Sequence, residues 1–356
     1  MTVLGAGEHR CSAAVARFAA LPGRGVDRVL LMTLLPPRLQ AGDQVRVVAP
    51  AQSRAMVLEY DHSRIIEERF AEMELRLTYG PHVDERDGFN SSSIDSRVSD
   101  LHDAFSDPDV RAILTVIGGY NSNELLPHLD FDLIAANPKV LCGYSDITAL
   151  QCAILSRTGL VTYSGPHWSS FGMRDHFTQT QAWFARAICE EGPFEVEPSE
   201  EWTDDLWFVN QDDRCPEANP GWKRLSEGTA TGRLIGTNLC TLNLLQGTPY
   251  MPSLDGALLV LEDAASVHAT EFARNLTSLL QLPDAHGVQG LVVGRFQRQS
   301  GMTEALLSEV IARQPALAGK PVVAGADIGH TMPLATLPVG GQAELTAGDR
   351  VRFRVL

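Results

Sequence analysis

Apolar residues along this chain fall into two alternating patterns. Runs at 45–48, 112–117 and 139–142 have the length of buried strands and are bounded by Gly, Pro or polar residues. Between them, Ile65, Ile66, Phe70 and Met73 recur at helical spacing across 64–73, and Ile94, Val98, Leu101 and Phe105 do so across 93–105. Residues 75–79 alternate like a short strand, 146–157 read as a helix and 160–163 as a further strand. Strand and helix alternating in this way predict a mostly parallel sheet with helices on both faces. From about residue 172 the pattern weakens. Glu190-Glu191-Gly192-Pro193 opens a polar, Trp-bearing segment reaching Trp222, which reads as a linker with an inserted loop. Regular pattern returns with strands at 232–236, 257–261, 290–294 and 321–324, helices at 239–245, 270–280 and 304–312, and alternating strands at 343–345 and 351–355.

The expected fold class is therefore α/β. An N-terminal domain at 32–190 carries a mostly parallel sheet flanked by helices, a linker and Trp-bearing loop covers 191–228, and a C-terminal α/β domain covers 229–356. Residues 1–31 are expected to be a weakly ordered extension without a role in chemistry. Their Val29-Leu30-Leu31 run is too short for a signal-peptide core, and Met32 offers a second start.

Composition narrows the partners. With 44% apolar residues the chain can build real cores, and a formal net charge of -15 argues against nucleic acid or an anionic membrane as partner. No apolar stretch reaches membrane-spanning length. The six cysteines form no C-x-x-C pair, which fits reduced thiols and a cytoplasmic protein. No histidine shows metal-ligand spacing, so neither metal nor other cofactor is expected.

Three strands end in a side chain capable of chemistry. The run at 112–117 leads through Gly118-Gly119-Tyr120-Asn121 to Ser122, ahead of an apparent helix start at Glu124-Leu125-Leu126. Two glycines permit a sharp turn, and free N–H groups at a helix start suit a developing anion, which is the logic of a nucleophile elbow. The plain alternative is a helix N-cap serine. The run at 257–261 ends at Glu262-Asp263, where the plain alternative is a helix cap or a pair with Arg274. The run at 321–324 continues through Gly325-Ala326-Asp327 to Ile328-Gly329-His330, where a satisfied loop histidine is the alternative. Ligands of open α/β sheets gather at the carboxyl ends of strands, so a serine, a carboxylate and an imidazole there are the parts of a nucleophile, an orienter and a base.

Several motifs in register resemble one family. Gly118-Gly119-Tyr120-Asn121-Ser122-Asn123, Gly143-Tyr144-Ser145-Asp146-Ile147-Thr148 and Tyr163-Ser164-Gly165-Pro166 resemble the first half of the serine LD-carboxypeptidases, and Asn238-Leu239, Leu261-Glu262-Asp263 and Gly329-His330-Thr331-Met332-Pro333 resemble the second. Within that family the chain is most similar to the microcin C self-immunity branch, through Glu201-Trp202-Thr203-Asp204-Asp205-Leu206-Trp207, Leu244-Leu245-Gln246-Gly247-Thr248, Tyr250-Met251-Pro252-Ser253-Leu254 and Gly294-Arg295-Phe296-Gln297-Arg298. It departs from the family at Gly236-Thr237-Asn238, where Gly-Gly-Asn is usual, and at Ala264-Ala265-Ser266, where immunity proteins often carry charged or bulky residues.

The resemblance implies an active site between two domains, often in a homodimer. Ser122 is the implied nucleophile, His330 the base and Glu262 its orienter, with the N–H groups of Asn123 and Gly119 as the oxyanion hole. Trp202, Trp207, Asn238, Tyr120, Ser145 and Asp146 are the implied substrate contacts. The implied reaction is hydrolysis of an amide next to a carboxyl-bearing residue in microcin C-type peptidyl- or aminoacyl-nucleotides, as self-immunity. The alternative is a murein tetrapeptide LD-carboxypeptidase of peptidoglycan recycling, and the Trp202–Trp207 stretch separates the two because an indole can stack on a nucleobase.

Overall fold

Val, Ile and Leu give the apolar runs their strand preference, and helices cover both faces. The computed structural model describes residues 32–57 and 62–356, so the extension at 1–31 lies outside the described residues. The N-terminal half supplies β1 (Gln44–Val48), β2 (Arg76–Tyr79), β3 (Val110–Thr115), β4 (Val140–Gly143) and β5 (Thr162–Ser164). They pair in parallel in the order β5-β4-β3-β1-β2. Alternate residues serve opposite faces: Ile113 packs with the side chains of the helices Ile94–Ser106 and Thr148–Thr158, whereas Ala112 and Leu114 pack with Ile66, Phe70 and Phe184. The Ile94–Ser106 helix starts where expected because Ser93 accepts the Ser96 N–H as its N-cap.

The second half adds β6 (Phe194–Glu195), β7 (Glu201–Trp202), β8 (Glu217–Ala218), β9 (Lys223–Ser226), β10 (Gly228–Ile235), β11 (Ala257–Leu261), β12 (Gly290–Gly294), β13 (Val322–Ala326), β14 (Leu337–Val339), β15 (Gln342–Ala347) and β16 (Val351–Val355). Eight of these form one sheet, β6-β16-β15-β10-β11-β12-β13-β9, whose centre from β10 to β13 is parallel. The Trp-bearing segment is more ordered than its polar sequence suggests, because β6 and β9 close the two edges of this sheet and β7 pairs with β8. β14 leaves its own half and pairs antiparallel with β5, completing the first sheet. Residues 32–356 accordingly form one compact unit.

The crossing from β10 into the site is tight. Gly236 has φ +135°, and a Cβ there would stand 1.9 Å from the Val260 carbonyl oxygen of the neighbouring strand. Gly236→Ala is expected to destabilise the fold by roughly 3 kcal/mol or more, since backbone on the next strand cannot yield as a side-chain tip can. A thermal melt indistinguishable from that of the parent would contradict this.

Candidate active site

β4 runs directly into the site. After Gly143 the chain turns through Ser145, which has φ +60°, makes a short turn at Ser145–Ile147 and enters the helix Thr148–Thr158. A serine held in left-handed backbone between a strand and a helix is a strained elbow that presents its hydroxyl at the sheet's carboxyl edge. The elbow requires small neighbours. A Cβ at Gly143 would lie 2.2 Å from Thr115 Oγ1, and one at Gly118 would lie 3.0 Å from Ser145 Cβ.

His330 arrives from beyond β13. Its Nε2 lies 3.0 Å from Ser145 Oγ, and its Nδ1 lies 2.6 Å from Glu262 Oε2. Glu262 follows β11 and is buried, and its other oxygen accepts the Asn238 side-chain N–H at 3.0 Å. Gly329 makes this approach possible, because it has φ +94° and a Cβ there would stand 2.4 Å from Glu262 Oε2. With a carboxylate on Nδ1, that nitrogen carries the proton and Nε2 is left to accept one from a hydroxyl. Burial opposes the charged imidazole, but the charge and hydrogen bond of Glu262, with Asp263 behind it, carry the His330 pKa above its ordinary value. Asp263 is itself pushed up to about 7, first by burial and then by the charge of Glu262.

This pairing corrects the expectation at Ser122. The Ser122 side chain is buried, and its hydroxyl donates to the Asp146 carbonyl at 2.7 Å while its N–H donates to Asp146 Oδ2 at 2.9 Å. No bond joins it to His330. The expected helix after it is a 3-10 turn, Ser122–His128, with Pro127 inside. Asn123, in that turn, does not line the cleft; the Gly118-Gly119 turn and Asp146 do, and a Cβ at Gly118 would lie 3.2 Å from Ser145 Oγ and 3.5 Å from the Asp146 nitrogen. Ser145 and Asp146, expected as substrate contacts, are thus the elbow itself.

Ser145 and His330 line a cavity of about 650 Å³. Gly119, Tyr120, Asn238 and Trp207 line it, whereas Trp202 does not. Trp202 carries two guanidinium groups over its ring, with Arg295 Cζ at 4.7 Å and Arg298 Cζ at 4.5 Å from its centre, and it lines a separate cavity beside Glu195 and Glu197. The Thr203–Met332 backbone pair stands at the wall of both cavities. His167 also lines the cleft, although its sequence context marks it only as a surface or core residue. Its ring stacks on Tyr144 at 4.3 Å, Tyr144 meets His330 edge-on at 5.2 Å, and burial lowers the His167 pKa to about 3, keeping it neutral.

Comparison with known proteins places this geometry. The model of the LD-carboxypeptidase N-terminal domain matches residues 45–165, and that of the LD-carboxypeptidase C-terminal domain matches residues 231–345. The chain belongs to the LD-carboxypeptidase family. It is a peptidase of that family, 45% identical over 310 residues to the putative carboxypeptidase YocD of Bacillus subtilis, a match covering 87% of this chain and 95% of that one. The microcin C7 self-immunity protein MccF of Escherichia coli is 34% identical over 281 residues, covering 74% and 79%. Among solved structures, an MccF-like protein from Bacillus anthracis superposes with a TM-score of 0.89 at 45% identity, covering 91% of this chain and 99% of that one. MccF in complex with aspartyl sulfamoyl adenosine superposes at 0.81 and 29% identity, covering 90% and 98%.

One departure from the LD-carboxypeptidase pattern finds its reason in packing. Thr237 is buried, its hydroxyl lies 3.0 Å from Ser164 Oγ and 3.3 Å from Thr148 Oγ1, and it does not line the cleft. It links the two halves of this LD-carboxypeptidase-family chain instead of touching a ligand.

Proposed function

We propose that the protein is a serine peptidase whose nucleophile is Ser145, with His330 as base and Glu262 as its orienter, and that it hydrolyses the amide joining an aminoacyl group to a nucleotide-like group. The observation that carries this reading is the unbroken chain Ser145 Oγ, His330 Nε2, His330 Nδ1, Glu262 Oε2, with links of 3.0 and 2.6 Å. Ser145 Oγ attacks the scissile carbonyl as His330 takes its proton; the N–H of Asp146 and one from Gly119 stabilise the oxyanion. His330 then protonates the leaving nitrogen, and a water deprotonated by His330 releases the acid. Ser122 holds Asp146 through both of its polar atoms and so positions the oxyanion donor. A cytoplasmic homodimer belongs to the same reading, supported by the family resemblance; among the described residues, no helix is long and apolar enough to cross a membrane.

The nucleotide-like group is supported by Trp207 and Phe208, two aromatic rings in the cleft, and by the ligand of the MccF structure. Trp207→Ala is expected to raise KM for an aminoacyl sulfamoyl adenosine by about one to two decades, the loss of one base stack. Trp202→Ala is expected to leave that KM within about threefold, because its ring is occupied by two arginines. Steady-state kinetics on both variants check this. A murein tetrapeptide hydrolysed far faster than any nucleotide amide would hand the site to peptidoglycan recycling.

A further inference from the structure

The charges around the cleft are one-sided. Its ionisable lining consists of Asp146, Asp205, Tyr120, Tyr144, Cys240, His167 and His330, and among the described residues none that lines it is Lys or Arg. Glu262 and Asp263 stand directly behind His330. Of the arginines near the Trp-bearing segment, Arg295 is engaged with Asp327 and Asn219, Arg298 with Asp204 and Glu217, and Arg214, which does not line the cleft, donates to the Asp175 carbonyl and faces the charge of Asp205. His167 supplies no charge, since its ring is buried against Tyr144.

The rest of the wall is apolar, and some of it is uncovered. Tyr120, Leu206 and Leu244 are all exposed and all line this one cleft. Ala264 and Val267 extend the same surface beside Ser266. Large apolar side chains gathered in one concavity mark a ligand surface, because water contact there is relieved only when a ligand covers them. A carboxylate buried in the same place would give up its hydration with no Lys or Arg among the described residues of the lining to answer it, next to carboxylates of like sign.

We infer that the aminoacyl group cleaved in this cleft carries an uncharged, apolar side chain, in contrast to the aspartyl group of the ligand that MccF holds. This inference rests on the nucleotide-amide reading above, and the experiment separates the two. Three probes share one leaving group: leucyl, asparaginyl and aspartyl sulfamoyl adenosine. Turnover is measured with the parent protein, and affinity by calorimetry with Ser145→Ala.

The expected order in both is leucyl, then asparaginyl, then aspartyl, with aspartyl below asparaginyl by on the order of tenfold to a hundredfold, since the pair differs only in charge. Leu244→Lys places a cation on the exposed rim and is expected to narrow that gap at least about threefold. Aspartyl turned over or bound best by the parent overturns the inference, as does failure of Ser145→Ala to bind any of the three. Binding in the expected order without turnover of any probe overturns the hydrolysis of nucleotide amides alone and leaves the side-chain preference standing.

Discussion

Ser145→Ala is expected to lower kcat/KM by about four decades or more, while Ser122→Ala is expected to keep activity within roughly one to two decades of the parent. The first variant removes the hydroxyl that, among the described residues, meets His330 Nε2. What survives is the oxyanion hole and binding, which alone give modest catalysis. The second variant removes a hydroxyl that donates to a backbone carbonyl in a buried turn, so its effect passes through the placement of Asp146. The Ser122 N–H to Asp146 Oδ2 bond is untouched by the change and limits the shift. Mass spectrometry of products from an aminoacyl sulfamoyl adenosine, with circular dichroism to show that both variants fold, checks the pair. An inactive Ser122→Ala beside an active Ser145→Ala would reverse the assignment.

Glu262→Gln is expected to cost about three to four decades in kcat/KM and to move the acid limb of the pH profile downward. The sign follows from the base. As the proposed base, His330 would work only when neutral, and its pKa stands above the ordinary value, so activity is expected to be lost as pH falls through that raised pKa. The charge and hydrogen bond of Glu262 hold it there; an amide in its place removes the charge and favours the neutral ring, so the limb shifts to lower pH. Gln can also present its N–H to Nδ1 and select the wrong tautomer, which is why kcat falls despite a larger neutral fraction. Asp263, pushed up to about 7 by burial and then by the charge of Glu262, loses the second of these causes in the variant and so compensates in part. A pH–rate profile whose acid limb stays in place would show that Glu262 does not set the His330 pKa.

Much of this site is legible in the sequence, and the part that is not has a definite cause. Glu262 and His330 stand out because each follows an apolar run with strand character, and strand ends are where α/β sheets place ligands. Ser122 stands out for the same reason, with two glycines before it. What decides between Ser122 and Ser145 is a backbone angle and a helix, and neither is spelled by residue type. The Gly143-Tyr144-Ser145 stretch does carry the first half of the G-x-S-x-G elbow, directly after the Val140–Gly143 strand and ahead of a largely buried helix from Thr148 that has no interior proline. Pro127, inside the turn after Ser122, is the residue that argues against a long helix there. Trp202 and Trp207 illustrate the same limit. They lie five positions apart in one polar segment, and only the arginines brought in from the β12 connection show which ring is already covered.

The strand that β14 lends to the first sheet has a consequence for how the chain is made. β5 has its outer neighbour only when residues Leu337–Val339 are available. During synthesis, the ribosome releases the first half of the chain long before that strand exists, so the nascent sheet waits with an open edge of unpaired N–H and C=O groups. The same late segment carries His330, so closing the sheet and delivering the base to Ser145 are one event. A chain stopped short of His330 is therefore expected to be inactive and prone to associate through that open edge.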